Sequence, residues 1–352
     1  MRVKIEGLIK ENMTSREIVV KSLKFEGPER IPMTLPPPYP NDIVGVGLGP
    51  NPYISEEWVY KGNNRWERID EWGNTWARLE AYSKGEVVKG SIEDWNQLDS
   101  YEFPPLDLDV RYEPARRSFK ETPDKFHVGF LPGFPFSVAR YLRRMDNFLL
   151  DVAAEKENVA KLLKDIADLL EIVIERFAKV GADAVMFAED WGTQDRLLVS
   201  PKSWRELFKP GFIQLCNTAH KLGVYVFMHS CGHIYEIIPD LIKVGIDVLQ
   251  FDQPALHGVD NLARDFGGKV NFWCPVDIQQ VLPKRDETLI EDFAKEMIEK
   301  LGSFNGGFIA GYYPSNEALG LDPYWQDVAC KAFVKYGMRE YKLIKNMEVD
   351  RK

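Results

Sequence analysis

VYVFMHSCGHIYEIIPDLIKVGIDVLQFDQP, residues 224–254, holds two short apolar runs on either side of a segment whose apolar residues recur at helical spacing. Apolar strands that follow one another through a helix are typical of a parallel sheet that is buried on both faces. The stretch therefore predicts a strand–helix–strand unit whose first strand ends at His229, Ser230 and Cys231.

The same alternation extends from His127 to Tyr313, and it includes a clear amphipathic helix over residues 159–180. Six such units behind an irregular first third favour a (β/α)8 barrel over an open sheet, and the sequence contains no Gly-rich turn of Rossmann type. We expect a single domain over residues 1–352. The predicted strands are 127–133, 182–190, 224–232, 247–253, 269–277 and 306–313, and the shorter helices are 204–222, 234–244, 261–266 and 288–301.

Residues 1–125 are expected to form a helix, a loop and a hairpin that are integral to this domain. Thr14 and Glu17 have the spacing of a capping box at a helix start, and Gly73-Asn74 is typical of a hairpin turn. The predicted elements are a helix over 14–25, an extended run over 31–35, a hairpin over 65–90 and an irregular polar stretch over 91–121.

The composition excludes several classes of function. The chain has 352 residues and a net charge of −9, and nothing concentrates Lys and Arg into a surface for nucleic-acid phosphates. It has no run of 18 apolar residues, and its start lacks the apolar core of a signal peptide, so we expect a cytoplasmic protein without membrane contact. The four cysteines are widely and irregularly spaced, which argues against a disulfide framework.

Each predicted strand ends in hydrogen-bonding or reactive residues. In a parallel barrel the C-terminal strand ends lie on one face, so these residues are candidates for one shared pocket. The alternative is that each is an ordinary transition from strand to loop. The candidates are Asp190 and Tyr312 for catalysis, and Glu189, Trp191, Gln194, Gln253, Trp273 and Tyr313 for substrate binding.

His229 and Cys231 are the sharpest candidates for a metal site. Residues i and i+2 of a strand project to the same side, and Zn²⁺ accepts both imidazole and thiolate ligands. Cys274 is a candidate for a second thiolate, and Glu189 or Asp190 for a carboxylate ligand. The alternatives are a hydrogen-bonded histidine beside an inert thiol, or a cysteine nucleophile whose base the sequence does not identify.

Four segments carry a resemblance to a known family: residues 13–33, 182–210, 229–254 and 272–283. Together they resemble the uroporphyrinogen decarboxylase superfamily, which also contains corrinoid- and thiol-dependent methyltransferases. The resemblance covers nearly the whole chain and implies a (β/α)8 barrel. The decarboxylase itself is disfavoured because its Arg-rich segment is replaced here by TLPPPYPNDIV (residues 34–44), and Tyr312-Tyr313 stands where its late His would be.

The methyltransferase branch has a zinc motif of His-x-Cys with a second Cys far downstream. His229 and Cys231 match its first half, whereas the last strand continues as GYYPSNEALG without a cysteine. The resemblance implies that a small methylated substrate, such as a methoxylated aromatic, is demethylated with zinc assistance. A separate corrinoid protein would carry the cobalamin that accepts the methyl group.

Other activities stay open at this point. They are a metal-independent decarboxylase of a small carboxylic acid in which Asp190 stabilises a protonated intermediate, methyl transfer to a thiol, and a barrel that only binds a ligand. A homodimer is also left open.

Overall fold

The computed structural model describes residues 13–80 and 83–338, and no helix within these ranges is long and apolar enough to cross a membrane. The strands are β1 (Ile43–Gly47), β2 (Val59–Gly62), β3 (Arg65–Ile69), β4 (Thr75–Arg78), β5 (Glu86–Lys89), β6 (Phe126–Phe130), β7 (Ala184–Ala188), β8 (Tyr225–His229), β9 (Val248–Gln250), β10 (Asn271–Cys274) and β11 (Phe308–Ala310).

The helices separate the later strands, as the sequence predicts. They are α1 (Ser15–Leu23), α2 (Glu113–Glu121), α3 (Pro135–Leu142), α4 (Met145–Ala154), α5 (Lys156–Lys179), α6 (Pro201–Ser203), α7 (Lys209–Lys221), α8 (Ile238–Val244), α9 (Val259–Phe266), α10 (Glu287–Leu301) and α11 (Pro323–Gly337). A π-helical turn, Trp204–Phe208, joins α6 to α7. Short 3-10 helices lie at Trp95–Ser100, Asp109–Tyr112, Tyr235–Ile237, Pro254–Leu256 and Leu282–Lys284.

The main sheet has seven strands in the order β1-β6-β7-β8-β9-β10-β11, with parallel pairing of β6 with β7, β7 with β8 and β10 with β11. Backbone hydrogen bonds also link β11 to the start of β6: Thr34 N donates to Ala310 O, Asp42 N to Met33 O and Phe126 N to Asp42 O, over 2.8, 2.7 and 3.0 Å. The predicted α/β fold of (β/α)8 type is confirmed.

Internal contacts divide the chain into two units, and the single-domain expectation over 1–352 stays a prediction. One unit comprises residues 13–44, 122–126 and 250–338, and the other comprises residues 45–80, 83–121 and 127–249. In the first unit, Arg30 and Asp42 form a buried ion pair, with Nη1 and Nη2 at 2.6 and 2.7 Å from the two carboxylate oxygens.

The predicted first helix is confirmed with shorter bounds. The side chain of Thr14 accepts a hydrogen bond from Glu17 N while the Glu17 carboxylate accepts from Thr14 N, which is the predicted capping box. The helix ends at Leu23 instead of residue 25 because Phe25 has a φ of +57° and Gly27 a φ of +72°, conformations that a helix cannot contain.

The predicted hairpin belongs to a larger antiparallel sheet of four strands, β2-β3-β4-β5. Its predicted turn is present, since Gly73 has a φ of +79° and Asn74 N donates to the Asp70 carboxylate over 2.8 Å. The expectation of irregular structure over 91–121 is wrong in part, because α2 occupies its end. Only Ala115 and Phe119 of α2 are buried, so the helix carries too few apolar residues to be recognised from their spacing.

The second unit also contains an ion pair between α7 and the segment before β9. Nε2 of His220 lies 2.9 Å from Oδ2 of Asp247, and the same oxygen accepts a hydrogen bond from Val226 N over 2.7 Å. The hydrogen bond to Asp247 raises the pKa of His220 above its ordinary value, and partial burial opposes this shift.

Candidate functional site

Three side chains of the second unit converge at the ends of two adjacent strands. His229 is the last residue of β8 and pairs with Ala188, the last residue of β7, so Asp190 follows on one strand and Cys231 on the other. His229 Nε2 lies 3.3 Å from Cys231 Sγ and 3.6 Å from Asp190 Oδ1, and one ligand atom from each residue lies within 4.8 Å of the others. Within residues 13–80 and 83–338 this is the only group of three His, Cys, Asp or Glu side chains with metal-ligand spacing.

The donor set and its spacing fit Zn²⁺. Zinc–nitrogen bonds of about 2.0 Å and zinc–sulfur bonds of about 2.3 Å in a tetrahedron place the two ligand atoms about 3.5 Å apart. The 3.3 Å between His229 Nε2 and Cys231 Sγ lies within a few tenths of an ångström of that value. The 3.6 Å between His229 Nε2 and Asp190 Oδ1 lies similarly close to the separation of about 3.3 Å expected for a nitrogen and an oxygen ligand. A site with three protein ligands leaves the fourth tetrahedral position for a substrate, as catalytic zinc sites do.

The turn after Cys231 depends on two glycines that lie back to back. Gly232 has a φ of +78°, and a Cβ atom on it would lie 2.1 Å from the carbonyl oxygen of Gly192. His233 N donates to Thr193 O over 2.7 Å, which ties the turn after β8 to the turn after β7. The backbone itself therefore holds Asp190 and Cys231 in register, and Cys231 N donates directly to Asp190 Oδ1 over 2.9 Å.

Glu189 lies beside the group and is fully buried. Its Oε1 accepts hydrogen bonds from Phe136 N at 2.7 Å and Ser137 N at 3.1 Å, and its Oε2 accepts from Trp191 Nε1 at 3.1 Å. Burial raises the pKa of Glu189 to about 8, although the hydrogen bonds and the nearby guanidinium of Arg140 act in the opposite direction. Glu189 thus connects the end of β7 to the first turn of α3.

Trp191 is enclosed in an aromatic cluster. Its ring stacks on Phe136 at a centroid distance of 4.1 Å, and Phe208 meets it edge-on at 4.7 Å. Glu189 and Trp191 offer no exposed surface to a ligand, so their part in the site is to position α3 and the strand end. That either residue contacts the substrate stays a prediction, and the burial of both side chains does not support it.

Arg140 is a residue of the site that sequence reasoning missed. It lies on α3, one turn after Phe136, and its Nη2 is 3.9 Å from Oδ2 of Asp190. The sequence offers only a weak signal for it, namely Pro135 at a position typical of a helix start after a strand. The sequence does not predict helix α3, so it gives no reason to place Arg140 at the site.

Cys274 does not belong to the three-residue group. It is the last residue of β10, which pairs with β11, and its side chain is fully buried. Burial raises the pKa of the Cys274 thiol above its usual range, which favours the protonated form. Its role as a metal ligand stays a prediction, and the third side chain that the structure brings together with His229 and Cys231 is Asp190.

The other predicted site residues lie at strand ends or in the following loops, and their roles also stay predictions. Gln194 is exposed in the turn after Trp191. In the first unit each candidate has a protein partner: Trp273 Nε1 donates to Thr34 Oγ1, Gln253 Nε2 to Gln279 Oε1, Asn316 Nδ2 to the Tyr312 hydroxyl, and Tyr313 N to Gln326 Oε1.

Comparison with known proteins identifies related sequences and folds. The family model for uroporphyrinogen decarboxylase (URO-D) matches residues 81–312, well over half of the chain. A methyltransferase from Methanosarcina mazei is similar in structure, with a TM-score of 0.68, 15% identity and coverage of 92% of this chain and 99% of that one. A D-psicose 3-epimerase solved in the presence of D-fructose covers 69% of this chain and 87% of its own at 13% identity, with a TM-score of 0.42. No curated protein sequence matches significantly.

Proposed function

Because the chain belongs to the uroporphyrinogen decarboxylase family, we propose that it is a zinc-assisted methyltransferase. Its substrate is a small methylated compound, such as a methoxylated aromatic, and the methyl acceptor is the cobalamin of a separate corrinoid protein. The observation that carries this proposal is the group formed by Asp190, His229 and Cys231. The similarity in fold to the Methanosarcina mazei methyltransferase agrees with it.

The group has the donor chemistry of a catalytic zinc site. His229 Nε2, Cys231 Sγ and Asp190 Oδ1 would hold the ion. Zinc bound there would supply Lewis acidity toward the oxygen or sulfur from which the methyl group is removed. One thiolate instead of two makes the site harder, which suits an oxygen leaving group better than a thiol.

The protein's own side chains hold this chemistry in place. The hydrogen bond from Cys231 N fixes the side-chain conformation of Asp190, so its carboxylate is already positioned beside the thiol. Glu189 and Trp191 lock the end of β7 against α3 from the buried side. Asp190 therefore acts in this proposal as a ligand that helps to orient the leaving group.

Methyl transfer is tested directly with free cob(I)alamin in place of the corrinoid protein. Purified protein is mixed with a methoxylated aromatic under reducing conditions, and formation of methylcobalamin is followed by its absorption spectrum. We expect methylcobalamin and the demethylated phenol in equal amounts with the wild type, and neither product with Cys231→Ala. Release of CO₂ from carboxylic acid substrates without methylcobalamin would instead support the metal-independent decarboxylase.

A further inference from the structure

The guanidinium of Arg140 leaves most of its N–H donors without a hydrogen-bond acceptor, although the buried carboxylate of Glu189 lies near enough to interact with its charge. Only 18% of its side chain is exposed, and within residues 13–80 and 83–338 its single hydrogen bond is from Nη2 to the Tyr141 hydroxyl, over 3.1 Å. Its Nε is buried and has no hydrogen-bond partner in the described chain. A guanidinium has five N–H donors and cannot lose its charge, so leaving most of them unmet in a largely buried place is unfavourable.

Asp190 forms a long ion pair with this cation but accepts no hydrogen bond from it. The 3.9 Å between Arg140 Nη2 and Asp190 Oδ2 is too long for a hydrogen bond. Asp190 already accepts from Cys231 N through its other oxygen. In the proposed zinc site that same oxygen would be a metal ligand, and a bound ion would compensate the carboxylate charge.

Aromatic rings hold Arg140 beside the candidate metal group instead of letting it reach solvent. Its guanidinium carbon lies 5.6 Å from the centroid of the Phe136 ring and 4.9 Å from that of Tyr141. Phe136 is itself fixed by Trp191 and by the hydrogen bond from its backbone N–H to Glu189. The cation is therefore preorganised on a rigid helix.

A second cation reaches the same hydroxyl. Lys84 Nζ donates to the Tyr141 hydroxyl over 3.3 Å, while the Trp76 ring stacks on Tyr141 at 4.8 Å. Arg140 and Lys84 thus converge on one phenol oxygen. Two cations around one neutral acceptor make this edge of the site attractive to an anion.

We propose that Arg140, assisted by the Tyr141 hydroxyl, binds a carboxylate of the methyl donor, so that the substrate class is a methylated monocarboxylic acid. The inference rests on the proposed function, because only methyl transfer makes the bound molecule a methyl donor. The planar fork of a guanidinium matches the two oxygens of a carboxylate, and one such arginine fits one anionic group and not a polyanion. This agrees with the absence of arginine from residues 34–44.

The binding test uses 4-methoxybenzoate, its neutral analogue 4-methoxybenzamide and unmethylated benzoate, each titrated calorimetrically without cobalamin. We expect the wild type to prefer 4-methoxybenzoate over the amide. Arg140→Met should weaken binding of both carboxylates roughly 10- to 100-fold and leave the amide unchanged, because charge-assisted hydrogen bonds are lost. Arg140→Lys should retain part of the preference. Arg144 is exposed and lies directly before α4, so Arg144→Met is the matched control and should leave the affinity for all three compounds unchanged.

Several outcomes would overturn the inference. Equal affinity of the wild type for the carboxylate and the amide, or equal loss of both in Arg140→Met, would mean that Arg140 acts through Asp190 and not on the ligand. Displacement of benzoate by inorganic phosphate at similar affinity would identify a general oxyanion site and not a carboxylate site. Carboxylate binding that depends on Arg140, without any methyl transfer, would support this inference and refute the proposed reaction. Methyl transfer that does not depend on Arg140 would support the proposed reaction and refute this inference.

Discussion

Replacement of Glu189 by glutamine tests whether this carboxylate organises the site. Glutamine keeps one oxygen to accept from Phe136 N and Ser137 N, but its NH₂ group meets the N–H of the Trp191 indole. A buried donor without an acceptor costs about 1–3 kcal/mol. At pH 9, where Glu189 is ionised and presents no donor of its own because its pKa is about 8, we expect the contact between the glutamine NH₂ group and the indole N–H to lower the free energy of unfolding of Glu189→Gln by about 1–3 kcal/mol. Glu189→Ala, which strands all three donors and leaves a cavity, should lower it by about 3–5 kcal/mol.

Substitutions of Glu189 and Trp191 should have non-additive effects on the free energy of unfolding, because the two side chains are hydrogen-bonded. Trp191→Phe removes the indole N–H, so the clash created by Glu189→Gln disappears in the double variant. The double variant should therefore be more stable than the sum of the single effects predicts, by about 1 kcal/mol or more. Urea unfolding followed by circular dichroism measures all four proteins without depending on tryptophan fluorescence.

A surface glutamate on α5 provides the matched control. Glu175 is exposed, and Glu175→Gln should change the free energy of unfolding by less than about 0.5 kcal/mol. If Glu189→Gln is as mild as Glu175→Gln, or if the double variant is simply additive, the hydrogen bonds of Glu189 do not hold α3 to the strand end and the reasoning is refuted.

Two further predictions concern the turn after Cys231 and the ion pair of His220. Gly232→Ala should destabilise the protein and weaken zinc binding more than Gly223→Ala does. Gly223 is the control because its φ of +74° is similar, while no atom lies within 4 Å of a Cβ added to it. Equal effects of the two substitutions in unfolding and metal titrations would contradict the close contact at Gly232. Because the pKa of His220 is raised in the folded state, its interaction with Asp247 stabilises the protein fully below the ordinary histidine pKa. This stabilisation is lost as the pH rises through the folded-state pKa. His220→Gln should therefore cost more stability at pH 5.5 than at pH 8.5, by up to about 1 kcal/mol, and a cost that does not depend on pH would refute this assignment.

The sequence predicts the strands of the barrel well because buried parallel strands are short, continuous apolar runs. His229 and Cys231 could be identified as ligand candidates because residues two apart in a strand share a face, a purely local property. The first helix could be predicted for the same reason, since the capping box of Thr14 and Glu17 is complete within four residues.

The parts that could not be predicted depend on contacts between distant residues. Glu189 binds backbone groups more than 50 positions earlier, and nothing in its own segment indicates that it is enclosed there. Helices α3, α4 and α11 were not predicted, so Arg140 was missed with them. The sequence leaves the third ligand open among Cys274, Glu189 and Asp190, since each has suitable chemistry. Only the pairing of β7 with β8 brings Asp190 beside His229.

Metal content tests the central claim most directly. Zinc per chain is measured in protein purified without added metal, for the wild type and for His229→Ala, Cys231→Ala and His233→Ala. His233 is the matched control because it lies two residues from Cys231 but outside the three-residue group. We predict about one zinc per chain in the wild type and in His233→Ala, and a loss of zinc in the other two variants. Absence of zinc from the wild type, or its retention in His229→Ala, would contradict the assignment of Asp190, His229 and Cys231 as a metal site.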